Sequence, residues 1–294
     1  MQVVKESTKG GKSHKIAIMW DSVNEPLTNA SNLKLDENKT RVTEFAEGKR
    51  GDSDKQSWFG APSVQELQNR LTKGWPDGAE RLQKIATREI NPTSIRRRRT
   101  RGDQGDEVDM QAVWRGDLSR AWTRTRRMSR AGTNRTINLM VMLGDSASVS
   151  SDKLFWRGAS VLKLADALVT SGYNVGIIGG VTAKNCANSK TVEMAQFVEI
   201  KSTDQPLDLS ALAALTAMPG WFRTLGFAGI VTACDLVEDT QSYGLGQPMN
   251  ERAGEFASML GIENVFIQPN INNVHDAEKW IDSILNKIEG EATA

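Results

Sequence analysis

The stretch that decides the fold is residues 135–181, which read RTINLMVMLGDSASVSSDKLFWRGASVLKLADALVTSGYNVGIIGGV. An apolar run ends in Asp145 and a serine-rich loop, a long amphipathic segment follows, and a second apolar run closes the stretch. This order predicts a strand, a helix and a second strand. Because ligands of open α/β sheets bind at the carboxyl ends of the strands, Asp145 and the serines after it predict a site at that edge.

The charge of the chain is balanced overall but not along its length. The 294 residues carry a formal net charge of +1, so the chain is not a polyelectrolyte as a whole. Residues 95–130, in contrast, hold eleven arginines, no lysine and five acidic residues, an excess of about six positive charges. The basic character is therefore concentrated in one tract, and the remainder is mildly acidic.

The cysteine content and the apolar runs predict an intracellular protein. Cys186 and Cys234 cannot build a disulfide framework and no CxxC pair is present, which favours a reducing compartment and argues against structural zinc. The polar amino terminus lacks the apolar run of a signal peptide, and no stretch approaches the roughly 18 apolar residues of a membrane span. We expect a soluble cytoplasmic protein, located in the host cytoplasm or the virion if it is viral.

Composition divides the chain into four parts: a polar N-terminal arm at 1–56, a small helical region at 57–94, an Arg-rich linker and helix at 95–130, and an α/β domain at 131–294. The arm, with KIAIMW at 15–20 as its one apolar island, is expected to be mostly extended or to order against a partner. In the helical region, Ser63 is expected to cap a helix that ends near Lys73, and Glu66 completes a capping box.

The α/β domain is predicted to alternate strands and helices. Strands are expected near 137–143, 173–179, 194–200, 228–232 and 263–267, and helices near 153–171, 208–218, 248–260 and 274–288. The segment TAKNCANSKTV between the second and third strands is too short for a crossover helix. The third strand is therefore expected to run antiparallel to the second, at an edge of the sheet. The other strands should be parallel, with right-handed crossovers.

Several segments of this domain resemble the von Willebrand factor A family. RTINLMVMLGDSASVSS is similar to its first strand and site loop, and WRGASVLKLADALVTSGYNVGI to its first helix and second strand. GIVTACDLVED resembles its fourth strand and third site loop, and NERAGEFASMLGIENVFIQPNINNVHDAEKWIDSI its closing elements. The resemblance covers roughly 135–290. It implies a Rossmann-like fold, with a mostly parallel sheet that has one antiparallel edge strand and is flanked by helices.

The resemblance also implies a Mg²⁺ site. Family members hold the cation with an Asp-x-Ser-x-Ser loop, a Thr on a second loop and an Asp on a third, since a hard cation takes hydroxyl and carboxylate oxygens. By position, the corresponding residues are Asp145, Ser148, Ser150, Thr203 and Asp235. The first loop departs from the pattern, because Ala147 and Val149 stand where serines would follow Asp145. The serines are alternatively caps of the helix that begins near Asp152.

The resemblance further implies a type of partner. Such domains normally assemble complexes rather than catalyse reactions, and intracellular members often work beside a ring-shaped AAA+ ATPase. A protein partner at the carboxyl edge of the sheet is therefore expected, with an AAA+ ATPase or a viral assembly as candidates. The long N-terminal extension, the altered loop and the Arg-rich tract also resemble proteins carried by bacteriophages.

The arginine tract supports a separate hypothesis. Guanidinium groups suit phosphates and interfaces, and the interleaved Trp114 and Trp122 are able to stack on bases. The tract is alternatively a solvated linker followed by a helix whose tryptophans dock on the α/β domain. The residues expected to contact nucleic acid or a protein partner are Arg96, Arg97, Arg98, Arg99, Arg101, Arg120, Arg124, Arg126 and Arg127.

Together these features predict a non-enzymatic interaction module that binds a protein partner, with an Arg-rich segment that contacts nucleic acid. A virion or nucleoprotein component that binds nucleic acid is the first alternative. The second is a Mg²⁺-dependent hydrolase or phosphotransferase that uses Asp145 and Asp235. The lack of a phosphate-binding loop and of a well-placed histidine counts against the enzyme, and no nucleotide cofactor is expected.

Overall fold

The structure is a computed structural model that describes residues 1–7, 14–33, 36–50, 54–88, 95–102, 104–105, 107–108, 110–129, 136–146, 148–184, 192–238 and 252–293. These residues form a six-stranded sheet with helices on both faces, together with a second, three-stranded sheet. The α/β class expected from the sequence is confirmed. None of the described helices combines the length and the apolar character needed to cross a membrane.

The described residues contain nine strands and twelve α-helices. The strands are β1 (Gln2–Ser7), β2 (His14–Trp20), β3 (Ile95–Gly102), β4 (Glu107–Val108), β5 (Trp122–Ser129), β6 (Thr136–Met142), β7 (Asn174–Lys184), β8 (Val192–Lys201) and β9 (Val265–Ile267). The helices are α1 (Glu25–Asn29), α2 (Asp36–Ala46), α3 (Lys55–Phe59), α4 (Val64–Lys73), α5 (Pro76–Leu82), α6 (Met110–Trp114), α7 (Ser151–Thr170), α8 (Leu209–Thr216), α9 (Pro219–Trp221), α10 (Phe227–Glu238), α11 (Ala253–Met259) and α12 (Val274–Thr293). Shorter turns are the 3-10 segments Ala30–Asn32 and Leu118–Arg120 and the π-helical turn Phe222–Gly226.

The unit β6–α7–β7 forms as the sequence predicts. Strands β6 and β7 pair in parallel, and α7 crosses between them. Leu139 and Met140, which lie on opposite faces of β6, are both fully buried, as expected of a strand covered on both faces. Helix α7 lies very close to α8, since a Cβ added to Gly158 would lie 2.1 Å from the carbonyl oxygen of Thr216. This close approach packs α7 tightly against the end of α8.

The large sheet has the strand order β1-β2-β8-β7-β6-β9 and is mostly parallel. Strand β8 runs antiparallel to β7, as predicted, but the edge position predicted for it is wrong. The apolar island at 15–20 forms β2, which pairs in parallel with the other side of β8, and β1 pairs with β2. Within β2 and β8, the buried Trp20 Nε1 donates a 3.0 Å hydrogen bond to Gln196 Oε1. Two segments of the region expected to be an extended arm are therefore strands of the sheet, and two others form the helices α1 and α2.

The strand predicted near 228–232 is wrong, because these residues lie in α10. The run GIVTAC is short and apolar on every side, a pattern that fits either a buried strand or a buried helix. Here the π-helical turn Phe222–Gly226 leads directly into helical backbone, and Ile230 and Val231 pack into the main core. The other expected helices are present, as α7, α8, α11 and α12, and the Ser63 cap of α4 is present too.

Residues 95–130 also differ from the expected linker and helix. Strands β3 and β5 pair antiparallel along eight residues each, and β4 pairs with the start of β5. Among the residues described between 95 and 129, only α6 and the 3-10 turn Leu118–Arg120 are helical. The arginines hide the strand pattern, because neither face of the strands is apolar and the alternation that identifies a strand is absent. We call β3 and β5 together the arginine ribbon.

Candidate functional site

The carboxyl end of β6 carries an internal ion pair. Asp145, in the loop that follows β6, pairs through Oδ2 with Nη2 of Arg157 on α7. The two side chains are 14% and 4% exposed, so this is a nearly buried pair. Arg157 Nε also approaches the carbonyl oxygen of Ile271, which follows β9, the neighbour of β6. The arginine therefore ties together α7 and the ends of two adjacent strands.

A second buried arginine lies beside Asp145. Arg223, in the π-helical turn, donates from Nη1 to the carbonyl oxygen of Trp58 at 2.7 Å and from Nη2 to that of Val149 at 3.0 Å. Its guanidinium carbon lies 4.2 Å from the centre of the Trp58 ring. Burial lowers the pKa of Arg223 to about 10, and the charge of Asp145 opposes that shift. Asp145 is thus the counter-charge for two buried guanidinium groups.

The serine loop after Asp145 is held by internal contacts. The backbone N–H of Ser146 donates to Asp145 Oδ1 at 2.6 Å, and the hydroxyls of Ser146 and Ser148 lie 3.0 Å apart. Ser150 occupies the N-cap position of α7, but its side chain makes no capping hydrogen bond. The Ser151 hydroxyl donates to the carbonyl oxygen of Gln56. The expectation that the serines cap the helix is therefore right about the position of Ser150 and wrong about its hydrogen bond.

The predicted second-loop residue, Thr203, lies at the amino ends of β6 and β7, whereas Asp145 lies at the carboxyl end of β6. It follows β8, whose carboxyl end meets the amino end of β7 because the two strands are antiparallel. A Cβ added to Gly176, near the start of β7, would lie 3.2 Å from Thr203 Cγ2, and Gly176 pairs with Asn138 of β6. From Asn138 to Asp145 the chain rises by roughly 20 Å, so Thr203 cannot join Asp145 around one cation.

The predicted third-loop residue, Asp235, is a buried structural carboxylate. It lies on α10 rather than at a strand end, and its Oδ1 accepts a 3.0 Å hydrogen bond from Asn38 Nδ2 on α2. Continuous helical backbone separates it from Arg223, the neighbour of Asp145, by roughly 15–18 Å along the axis. In the described part of the chain, no group of three or more His, Cys, Asp or Glu side chains is placed to hold a metal ion. The residues expected to bind Mg²⁺ do not fit such a site.

A groove of about 320 Å³ lies between α5 and the amino end of α7. Arg81 lies in its wall, where Nη2 is 2.8 Å from Asp152 Oδ1 and the guanidinium carbon is 3.8 Å from the centre of the Phe155 ring. The Arg81 guanidinium and the Phe155 ring, the groups that would recognise a ligand here, are already in contact with each other. The groove is therefore explained by packing between the two helices.

The register of the arginine ribbon brings the predicted basic residues together. Arg97 pairs with Arg127 and Arg98 with Arg126, directly across the two strands. The remaining basic positions, Arg96, Arg99, Arg101 and Arg124, pair with methionine or threonine, so no acidic residue lies opposite an arginine. Arg120 belongs to the 3-10 turn that precedes β5. Eight of the nine arginines predicted from the sequence therefore lie in the arginine ribbon, and the ninth, Arg120, lies just before β5.

Because residues alternate between the two faces of a strand, the ribbon has arginine positions on both faces. Positions 97, 99 and 101 of β3 share one face with position 127 of β5, and positions 96 and 98 share the other with 124 and 126. Each face therefore has four arginine positions. A ribbon that packed against the α/β domain would instead carry an apolar face.

Exposed aromatic and aliphatic side chains lie next to the ribbon. Trp114, the last residue of α6, is 81% exposed, and Trp122, the first residue of β5, is 38% exposed. Met110 and Leu118 are exposed as well. The expectation that the tryptophans dock on the α/β domain does not hold for Trp114. Large apolar side chains gathered on a surface are typical of a contact with another molecule.

Sequence reasoning missed Arg157, which pairs with Asp145, and Arg223, whose buried guanidinium feels the charge of Asp145. Each lies in a run that is otherwise apolar, LFWRGASVL for the first and MPGWFRTLGF for the second. Arginine inside an apolar run is a signal of a buried ion pair, since an unpaired charge is costly there. The position of the partner carboxylate could not be deduced, because it depends on how the helices pack.

The arginine ribbon and the large sheet belong to one unit in sequence comparisons. The chain matches the family described as "Domain of unknown function (DUF7192)" over residues 10–292, which include both sheets apart from β1. No curated protein and no solved structure matches the chain significantly. Since the matched residues cover nearly the whole chain, the protein belongs to this family, the domain of unknown function DUF7192.

Proposed function

We propose that this protein is a non-enzymatic nucleic-acid-binding protein that contacts phosphates through the arginine ribbon. The observation that carries the proposal is the register of β3 and β5, which pairs Arg97 with Arg127 and Arg98 with Arg126. Like charges directly opposite each other destabilise an antiparallel pair, by up to about 1 kcal/mol per pair. A polyanion bound along the ribbon removes this repulsion and releases counterions, which favours binding.

The two-sided charge of the ribbon supports the same proposal. An isolated pair of strands is only marginally stable in water, and burial of an apolar face normally supplies the missing stability. The alternation of arginine positions leaves the ribbon without such a face. A phosphate backbone supplies charge compensation over the same length, so binding and ordering of the ribbon are expected to be coupled.

The large sheet and its helices are, in this proposal, the scaffold that positions the ribbon. The enzymatic alternative would use Asp145 and Asp235. Asp145 neutralises Arg157, and Asp235 accepts a hydrogen bond from Asn38. Both carboxylates therefore have structural tasks, which favours a binding function over metal-assisted hydrolysis. Four expectations stay predictions: the von Willebrand factor A identity, a protein partner at the carboxyl edge of the sheet, an AAA+ ATPase or a viral assembly as that partner, and a requirement for Mg²⁺.

The experiment is a salt titration of binding with the whole chain. Fluorescence anisotropy of a labelled oligonucleotide gives the affinity at several salt concentrations, and the slope of log K against log salt counts the phosphates contacted. Replacing Arg96–Arg99 by alanine should reduce the slope by about 3, at 0.7 per lost contact on a single strand. Replacing the same four residues by lysine should leave the slope nearly unchanged, because the charge is kept.

A matched control removes four positive charges elsewhere on the surface. Lysines 39, 84, 153 and 279 are exposed and lie outside the ribbon, and their replacement by alanine changes the net charge by the same amount. This control should retain most of the affinity and the slope. If the ribbon and control variants bind with the same affinity and slope, the arginine ribbon is not the binding element and the proposal is wrong. Circular dichroism of each variant verifies that the large sheet is intact.

A further inference from the structure

The exposed tryptophans beside the ribbon have no task in phosphate binding. Tryptophan is usually well buried, yet Trp114 keeps 81% of its surface in contact with solvent. It ends α6 and is joined to β5 by the 3-10 turn Leu118–Arg120, so it lies close in sequence to the central strand of the small sheet. An exposed indole at this place is a feature that ribbon charge alone does not explain.

Trp122 lies within the small sheet itself. It begins β5 and pairs with Gly102 of β3 on one side and with Val108 of β4 on the other. Glycine has no side chain to cover the indole from the β3 side. The backbone thus places one aromatic ring inside the small sheet, at the end of the ribbon where β3 ends and β5 begins, and a second, more exposed ring a short turn away.

We propose that Trp114 and Trp122 stack on the bases of a single-stranded nucleic acid whose phosphates lie along the arginine ribbon. This inference rests on the proposed function and specifies its substrate class. In a duplex the base faces are already stacked on each other, whereas the bases of a single strand are free to stack on aromatic rings. A positively charged track with aromatic rings beside it is the arrangement by which proteins bind single strands without sequence preference.

Charge complementarity to the arginine ribbon, together with the two exposed indoles, selects a single strand over an acidic protein segment. An acidic peptide would neutralise the arginines but would not offer a series of flat π-faces to the two indoles. A single strand carries both features in every nucleotide, a phosphate and a base. The small sheet and the turn beside it offer both features to such a strand, arginine positions along β3 and β5 and the two indoles of Trp114 and Trp122, and stacking tolerates any base because every base has a π-face.

The test compares three labelled ligands of about 20 units with the whole chain: oligo-dT, an abasic strand with the same number of phosphates, and a duplex. This length exceeds the 4–16 nucleotides of typical single-strand sites. The wild type should bind oligo-dT at least roughly 5-fold, and up to about 100-fold, more tightly than the abasic strand, from stacking of one base or more. Trp114→Ala should lose most of that preference and keep its affinity and salt slope on the abasic strand.

Two further variants separate stacking from general surface effects. Trp114→Phe keeps an aromatic ring and should retain most of the preference for oligo-dT. Val169→Ala removes an exposed aliphatic side chain from α7, outside the ribbon and the turn beside it, and should change neither affinity. Equal affinity of the wild type for oligo-dT and the abasic strand, or tighter binding of the duplex, would overturn the stacking inference while the proposed function stands. Absence of salt-dependent binding to all three ligands would instead overturn the proposed function and the inference with it.

Discussion

Replacing Asp145 by asparagine separates two interpretations of the residue that the sequence singles out most clearly. If Asp145 is a metal ligand, the substitution abolishes a response to Mg²⁺ and costs the metal-free protein little. If it is the counter-charge of Arg157 and Arg223, the substitution leaves two buried guanidinium groups without a carboxylate. The structure favours the second interpretation, so we expect Asp145→Asn to destabilise the protein with or without metal.

The size of the effect follows from the burial of the partners. Breaking a buried ion pair by removing one charge costs about 3–5 kcal/mol. Asp145 is 14% exposed and asparagine keeps one acceptor oxygen, which reduces the cost to about 2–4 kcal/mol. Arg157 is poorly compensated otherwise, since among the described residues its Nη1 has no hydrogen-bond partner. At roughly 2–4 °C per kcal/mol for a large domain, Tm should fall by about 4–16 °C.

The assay is thermal and urea unfolding of the wild type and the variant, in EDTA and again in millimolar Mg²⁺. Asp152→Asn is the matched control, because this carboxylate also pairs with an arginine, Arg81, but is 70% exposed. Surface pairs contribute at most about 1 kcal/mol, so Tm of the control should fall by no more than about 4 °C. The counter-charge interpretation is refuted if Asp145→Asn and the wild type give the same unfolding curves in EDTA and only the wild type is stabilised by Mg²⁺.

Two further expectations concern packing and protonation. Gly158→Ala should lower the free energy of unfolding by about 1–3 kcal/mol, because its Cβ would lie 2.1 Å from the Thr216 carbonyl oxygen. Gly290→Ala in α12 has open space around its Cβ and should instead raise the free energy of unfolding by about 0.5–1 kcal/mol, and urea unfolding of both variants tests the two values. Lys201 is buried, which lowers its pKa from 10.5, so the folded state binds fewer protons than the unfolded state at pH values between the lowered pKa and 10.5. Stability should therefore rise with pH through that interval in the wild type relative to Lys201→Met, and an equal pH dependence of the two would contradict this.

The sequence predicts the central unit of the fold well because its periodicities are strong. The apolar run of β6, the amphipathic α7 and the apolar run of β7 each follow one pattern, and each element forms within a few residues of its expected bounds. The short connection before β8 also predicts its antiparallel direction, since a parallel neighbour needs a crossover. Local pattern and chain length are sufficient for these features.

The wrong predictions concern features that depend on distant residues. The island at 15–20 has the pattern of a strand, but that its partner is β8 is decided by pairing across more than 170 residues of chain. The helical state of α10 depends on burial against α2 and on the Asn38–Asp235 hydrogen bond. Thr203 lies away from Asp145 because β8 runs antiparallel to β7, and Asp235 lies away from it because α10 is a helix instead of a strand. A site carried over by resemblance fails when the element that should carry one residue has a different secondary structure.

Arginine has two physically different uses in this protein, and the difference supports the proposed function. On the α/β domain, exposed arginines meet acidic side chains of other elements: Arg252 pairs with Glu193, and Arg88 with Glu289. The arginines of the ribbon face arginine, threonine or methionine across the strands, although acidic residues are as abundant in the chain as basic ones. Selection for folding alone would have placed acids opposite them, because such pairs stabilise a sheet. The register between β3 and β5 places no acid opposite an arginine, which supports the proposal that a phosphate backbone compensates the charge of the ribbon.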